Sequence, residues 1–175
     1  RLLIISLAAF FHLQSFAAPT GLGQDGFLLN IAASWDFGTQ STSDDVVVKN
    51  RKMQAAMGSL WTGYRFGWIA PVVTAKYRIV GQVTDPNEVG GSNTRGNAMG
   101  YGAGLEINFL SLKLLTAYEF SSSYLLDKKS AAGQSVKYED GKGYHVELLY
   151  QLTPTWMVGL NYLAVDYSTY NDGTS

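Results

Sequence analysis

Cysteine is absent from this sequence. That excludes disulfides, thiolate metal sites and a lipid anchor on an N-terminal cysteine. Charge is scarce: Asp, Glu, Lys and Arg make up 15% of the residues, against roughly 25% in soluble domains. The net charge is −1, so there is no basic surface to attract nucleic acid, and none is expected as a partner. Beyond the N-terminus no segment approaches the roughly 18 apolar residues of a membrane-crossing helix. If the chain meets a membrane, it must do so as a closed barrel, which satisfies every backbone polar group between strands. There are two histidines, His12 and His145. His145 has Glu147 two residues on, but no serine or second histidine joins them in a recognisable catalytic motif. The sequence is therefore not expected to be an enzyme, and it calls for no cofactor and no metal.

What the chain has instead is aromatics at 13%, nineteen glycines and strict alternation. In MGYGAGLEINF, positions 99–109, the odd residues Met99, Tyr101, Ala103, Leu105, Ile107 and Phe109 are apolar. The even ones, Gly100, Gly102, Gly104, Glu106 and Asn108, are small or polar. A period of two marks a strand. The pattern recurs at about 26–38, 54–66, 69–83, 112–124, 142–152 and 156–167. In 112–124 it places Tyr118, Phe120 and Tyr124 on the apolar side and Glu119, Ser121 and Ser123 opposite them.

The connections alternate in length. Gly67-Trp68, Leu110-Ser111 and Thr153-Pro154-Thr155 read as minimal turns, whereas 40–51, 84–96 and 127–141 are polar loops rich in Gly, Asn and Ser. These turns predict partners: Leu60 with Ala75, Ile107 with Leu114, Leu148 with Leu160. Apolar residues then meet apolar residues across every hairpin, which a slip of one residue would destroy.

The N-terminus reads as an export signal. Arg1 precedes an apolar run of about ten residues, and Ser15-Phe16-Ala17 supplies a small-x-small cleavage site. Cleavage is expected after Ala17, since cutting after Ala18 would put Phe16 three residues upstream of the cut. The organisation expected is a signal peptide at 1–17, a lead at 18–25 and a barrel from 26 to 175. Seven strands are counted in it, with a last loop beginning near Ser168.

The apolar face must look either inward, as in a soluble barrel, or outward. The interior of a narrow barrel admits modest side chains, and most of the Tyr and Trp would overfill it. The small and polar face fits there better. Tyr64, Phe66, Phe109, Tyr150 and Trp156 cluster near the short turns, and Trp35, Phe37, Tyr124 and Tyr144 near the long loops. Two aromatic girdles mark a membrane barrel. Leu105, Ile107, Tyr118, Leu148 and Leu160 are expected to face lipid.

With phrases such as TGYRFGW, YGAGLEINF and LTPTWMVGLNY, the sequence resembles the small outer-membrane β-barrel proteins of Gram-negative bacteria, the OmpA/OmpX/OmpW-like group. The resemblance implies a membrane-spanning antiparallel up-and-down β-barrel of eight strands in the cell outer membrane, one more than the seven counted, and a periplasmic place for the lead at 18–25. It also implies outer-membrane lipids and the assembly machinery as partners, and extracellular loops that offer a surface to a ligand or partner. A narrow channel or transporter for small or apolar solutes is the alternative that the OmpW-like members allow.

The inward face carries Asp36, Arg65, Lys76, Arg78, Glu106, Lys113, Glu119 and Glu147, with His145 among them. Buried charges need partners, so an ion-pair network plugging the lumen is expected. A lined conduit, or a gate made by re-pairing, is the sharper reading. The loop acids Asp44, Asp45, Asp85, Glu88, Glu139 and Asp140, with Asn87, are expected to be solvated rather than to hold Ca²⁺.

Overall fold

The computed structural model describes residues 2–13, 25–44, 47–84, 95–129, 135–153 and 156–171, the first of these as backbone. Nearly all of them are strand or turn. The strands are β1 (Leu2–Leu13), β2 (Gly26–Asp44), β3 (Val47–Arg65), β4 (Ile69–Thr84), β5 (Gly96–Phe109), β6 (Leu112–Lys129), β7 (Ser135–Gln151), β8 (Trp156–Tyr167) and the short β9 (Thr169–Asn171). Each long strand pairs antiparallel with its neighbours in the chain. β6 pairs with β7, and β1 with both β2 and β8, so the pairing returns on itself. β9 continues the line of β8 and pairs with Lys137–Glu139 of β7. The result is an all-β, up-and-down, barrel-like sheet.

The hairpin partners expected from the turns are partners in the structure: Leu60 with Ala75, Ile107 with Leu114, Leu148 with Leu160. The first short turn is held by reciprocal backbone bonds between Phe66 and Ile69 (2.8 and 3.2 Å). Gly67 takes φ 61° there, a left-handed conformation open to glycine without steric cost. Gly104 is needed for a close approach of strands. A Cβ on it would stand 2.0 Å from the Thr116 carbonyl oxygen of β6, so its smallness serves the neighbouring backbone as well as the lumen.

Several strands run further than alternation alone indicates. β2 and β3 reach Asp44 and Val47, and β6 and β7 reach Lys129 and Ser135, so much of the loops expected at 40–51 and 127–141 is strand. Most of 84–96 lies outside the described residues, as do the cleavage site at 15–17 and the lead at 18–24. The apolar run expected to be an export signal supplies β1, which takes the one remaining place, between β2 and β8.

Tyr124 requires a correction. Alternation places it on the outer, apolar face, but it is buried inside. The cause is a β-bulge: Tyr101 pairs with Ser121 while Gly102 pairs with Glu119. One extra residue, Phe120, is accommodated, and Phe120 and Ser121 both face outward. Beyond that point the faces of β6 exchange, and Ser122, Tyr124 and Leu126 turn in.

The two faces differ in an unusual sense. On each of the seven strands from β2 to β8, large apolar side chains are exposed, among them Phe27, Leu60, Val73, Leu105, Leu114, Leu148 and Leu160. The buried face carries Asn30, Asp36, Lys76, Arg78, Glu106, Lys113, Glu119, His145, Glu147 and Asn161. Two apolar clusters bracket these polar groups. Met53, Val80, Tyr124, Leu126, Tyr167 and their neighbours lie toward the long-loop ends. Leu28, Trp61, Val72, Leu115, Leu149 and Met157 lie toward the short turns.

Candidate functional site: the charged lumen

All nine inward titratable residues expected from alternation lie on the inner side. Asp36, Lys76, Arg78, Glu106, Lys113, Glu119, His145 and Glu147 are buried, and Arg65 is nearly so, its side chain 11% exposed. Among the described residues two groups stand out, a tightly bonded one near the short turns and a looser one further up.

The lower group is built around Glu106 of β5. Its carboxylate accepts hydrogen bonds from Trp61 Nε1 (2.7 Å), Asn108 Nδ2 (2.8 Å), an Arg65 guanidinium nitrogen (3.0 Å) and Asn30 Nδ2 (3.1 Å). Lys113 of β6 adds a further positive charge nearby. Four strands thus converge on one carboxylate, and its lone pairs are met by charged and neutral donors together. Asn30, Trp61 and Asn108 were not expected as members, because a search for charges passes over neutral donors. The signal that finds them is position: each is inward in the period of two and carries N–H groups that must be bonded once buried.

The upper group holds Lys76 bonded to Glu119, and Arg78 Nε 3.6 Å from Asp36. Asp36 also accepts from Ser34 Oγ (2.8 Å), which in turn accepts from Asn161 Nδ2 (3.2 Å). Ser122 Oγ and the Tyr167 hydroxyl lie 2.9 Å apart. His145 Nε2 and Glu147 Oε1 are 2.9 Å apart without the alignment of a hydrogen bond, and both ring nitrogens and both carboxylate oxygens lack a hydrogen-bond partner among the described residues. The space between Lys76, Arg78, Glu119, Ser122 and Tyr167 is a cavity of about 10 Å³, room for one water at most.

These pairings carry a testable consequence. Glu119→Gln removes the charge bonded to Lys76, while Glu147 still lies close enough to attract it. The expected loss is about 1.5–3 kcal/mol, the range for a hydrogen bond to a charged group. It is read as a lower urea midpoint of the refolded protein, partly restored by Lys76→Met in the same chain. Additive effects in that double-mutant cycle would remove the pairing.

The outer residues are also placed. Leu105, Tyr118, Leu148 and Leu160 are exposed and Ile107 is half-exposed; Trp35, Tyr64, Phe66, Phe109, Tyr150 and Trp156 are all exposed. Tyr118 and Tyr144 are cross-strand partners with ring centroids 5.2 Å apart. Of the loop acids, Glu139 pairs with Lys137, and Asp140 accepts from the Thr169 hydroxyl (2.6 Å). Asp45, Asp85, Asn87 and Glu88 lie outside the described residues. Among the described residues no group of three or more His, Cys, Asp or Glu could hold a metal ion. Compared with family models, curated proteins and solved structures, the chain gives no match.

Proposed function

We propose that this chain is an outer-membrane β-barrel with a plugged lumen, serving a structural or surface-interaction role through the segments at its long-loop end. The observation that carries the reading is the inversion of the two faces. Exposed apolar side chains on every strand from β2 to β8 would be a severe aggregation liability in water, and in a bilayer they are the surface required. The strands, 12 to 19 residues long from β2 to β8, exceed the 9–11 or so needed to cross hydrocarbon, so the excess extends past the membrane. The buried ion pairs, the two apolar clusters and the cavity of only about 10 Å³ between Lys76, Arg78, Glu119 and Tyr167 favour a plug over a conduit.

Sidedness follows from this reading. Ser111 sits exposed in a short turn, and Thr169 is exposed at the opposite end. Thr169→Cys is expected to react with an impermeant maleimide on intact cells, and Ser111→Cys only after the outer membrane is permeabilised. The reverse order would invert the topology. The protein reconstituted in a planar bilayer is expected to show no steady conductance. A stable, ion-selective current would replace the plug with the narrow channel for small solutes.

The export signal belongs to the same proposal. β2 and β8 run in the same direction, so the place between them takes one strand running from the long-loop end to the short-turn end, as β1 does. Removal of residues 1–17 would vacate that place. Edman sequencing of protein recovered from outer membranes is expected to begin at Ala18. A start upstream of Leu2 would make β1 a permanent member of the barrel.

A further inference from the structure

The outer face of the sheet is not evenly covered. Midway along β3, Gly58 faces outward between its partners Ala33 of β2 and Tyr77 of β4. A Cβ placed on Gly58 would meet nothing within 4 Å. Together with Ala75 it floors a hollow of about 430 Å³, walled by Ile31, Leu60, Tyr77, Met99 and Tyr101. That volume falls within the roughly 300–1,000 Å³ of small-molecule sites. Lys76 and Ser59 also border it, but both are buried, and Lys76 is bonded to Glu119. The Tyr101 hydroxyl is turned to the Met99 sulfur at 2.9 Å. The walls therefore supply apolar surface and little hydrogen bonding.

We propose that this hollow binds a single hydrocarbon chain, the acyl chain of a lipid, as a defined site on the barrel wall; the proposal rests on the membrane reading above. Size and position select the occupant. A folded partner needs an interface of about 800 Å² per side, far more than one hollow of this volume presents, whereas a flexible chain fills it. The hollow lies along β3 and β2 between Tyr64 and Phe66 on one side and Trp35 and Phe37 on the other. At that level of a bilayer the only material in contact with the wall is hydrocarbon. The small residues Gly58 and Ala75, on the adjacent strands β3 and β4, form the depression, and the larger residues around them hold a chain against it by dispersion contacts.

The test uses the protein refolded into phosphatidylcholine vesicles containing a stearic acid with a mid-chain diazirine. Photolabelling is mapped by mass spectrometry, with Leu148 and Leu160 on the far wall as the reference for ordinary lipid contact. Labelling at Tyr77, Met99 and Tyr101 is expected to exceed that reference and to fall to it when unlabelled stearic acid is added. Gly58→Phe fills the hollow and is expected to abolish the excess while leaving flotation with vesicles intact; Ala75→Leu provides a second filling variant. Uniform labelling around the parent barrel, or an excess that persists in a filled variant, would overturn the site. So would a crosslink between two copies through Tyr77 or Met99 that Gly58→Phe abolishes, since a second chain would then be the occupant. Failure of the parent to float with vesicles would instead remove the membrane reading.

Discussion

Glu106→Gln is expected to destabilise the refolded protein by about 3–5 kcal/mol, the usual cost of removing one partner from a buried charged group. The substitution keeps the shape of the side chain, so packing is not the cause. Two effects combine. Arg65 and Lys113 lose the negative charge they share. The new amide also places a donor among Trp61 Nε1, Asn30 Nδ2, Asn108 Nδ2 and the Arg65 guanidinium, and one carbonyl oxygen cannot satisfy them all. Urea unfolding in detergent micelles measures the loss. Glu139→Gln is the control: it breaks a pair with Lys137 whose side chains are 35% and 42% exposed, and such exposed pairs contribute about 0–1 kcal/mol. Equal midpoints for Glu106→Gln and the parent would mean that the lower cluster does not hold the barrel together.

Leu105→Arg, one residue away, tests the opposite face. Leu105 is 44% exposed, pairing with Pro71 on one side and Thr116 on the other. On a surface in water, such a change falls within about 0.5 kcal/mol. On the lipid face of a barrel near the bilayer midplane, arginine costs about 2–4 kcal/mol. The expected result is the larger figure for folding into vesicles, with a much smaller effect in micelles, where water reaches the guanidinium. Insertion as favourable as that of the parent would show that the outer face does not meet hydrocarbon. Because residues 105 and 106 are adjacent in one strand, the two substitutions separate wall from lumen without moving along the barrel.

The comparison of Glu106 with Glu147 explains why charge counting from the sequence stops short. Both are acids at inward positions of alternating strands, and both are fully buried. Glu106 finds four hydrogen-bond donors on three strands, whereas Glu147 finds none among the described residues. Alternation is a local property and assigns a face. The partner across a lumen depends on the stagger of strands that are not hairpin neighbours, which no single segment encodes. For the same reason Asn30 and Trp61 enter the site only once β2, β3 and β5 are assembled.

What the sequence determined by itself is the existence of the seven strands β2 to β8, the short turns and the side of the sheet to which most of their residues belong. Each follows from the two-residue period of the extended chain and from the need to pair apolar faces across tight hairpins. Register within the hairpins followed too, because a minimal turn leaves one choice, as the pairs Leu60–Ala75 and Leu148–Leu160 illustrate. Only the tertiary structure decided the rest. The bulge at Phe120 reverses the faces of upper β6, and Tyr124 moves from the wall to the interior, where its ring stacks near Tyr138. A bulge costs one unpaired residue and is set by how a strand must bend to keep both of its neighbours. The assignment of Arg65 to Glu106 and the hollow over Gly58 have the same origin: each is created by strands brought side by side, and exists only when the sheet has curled back upon itself.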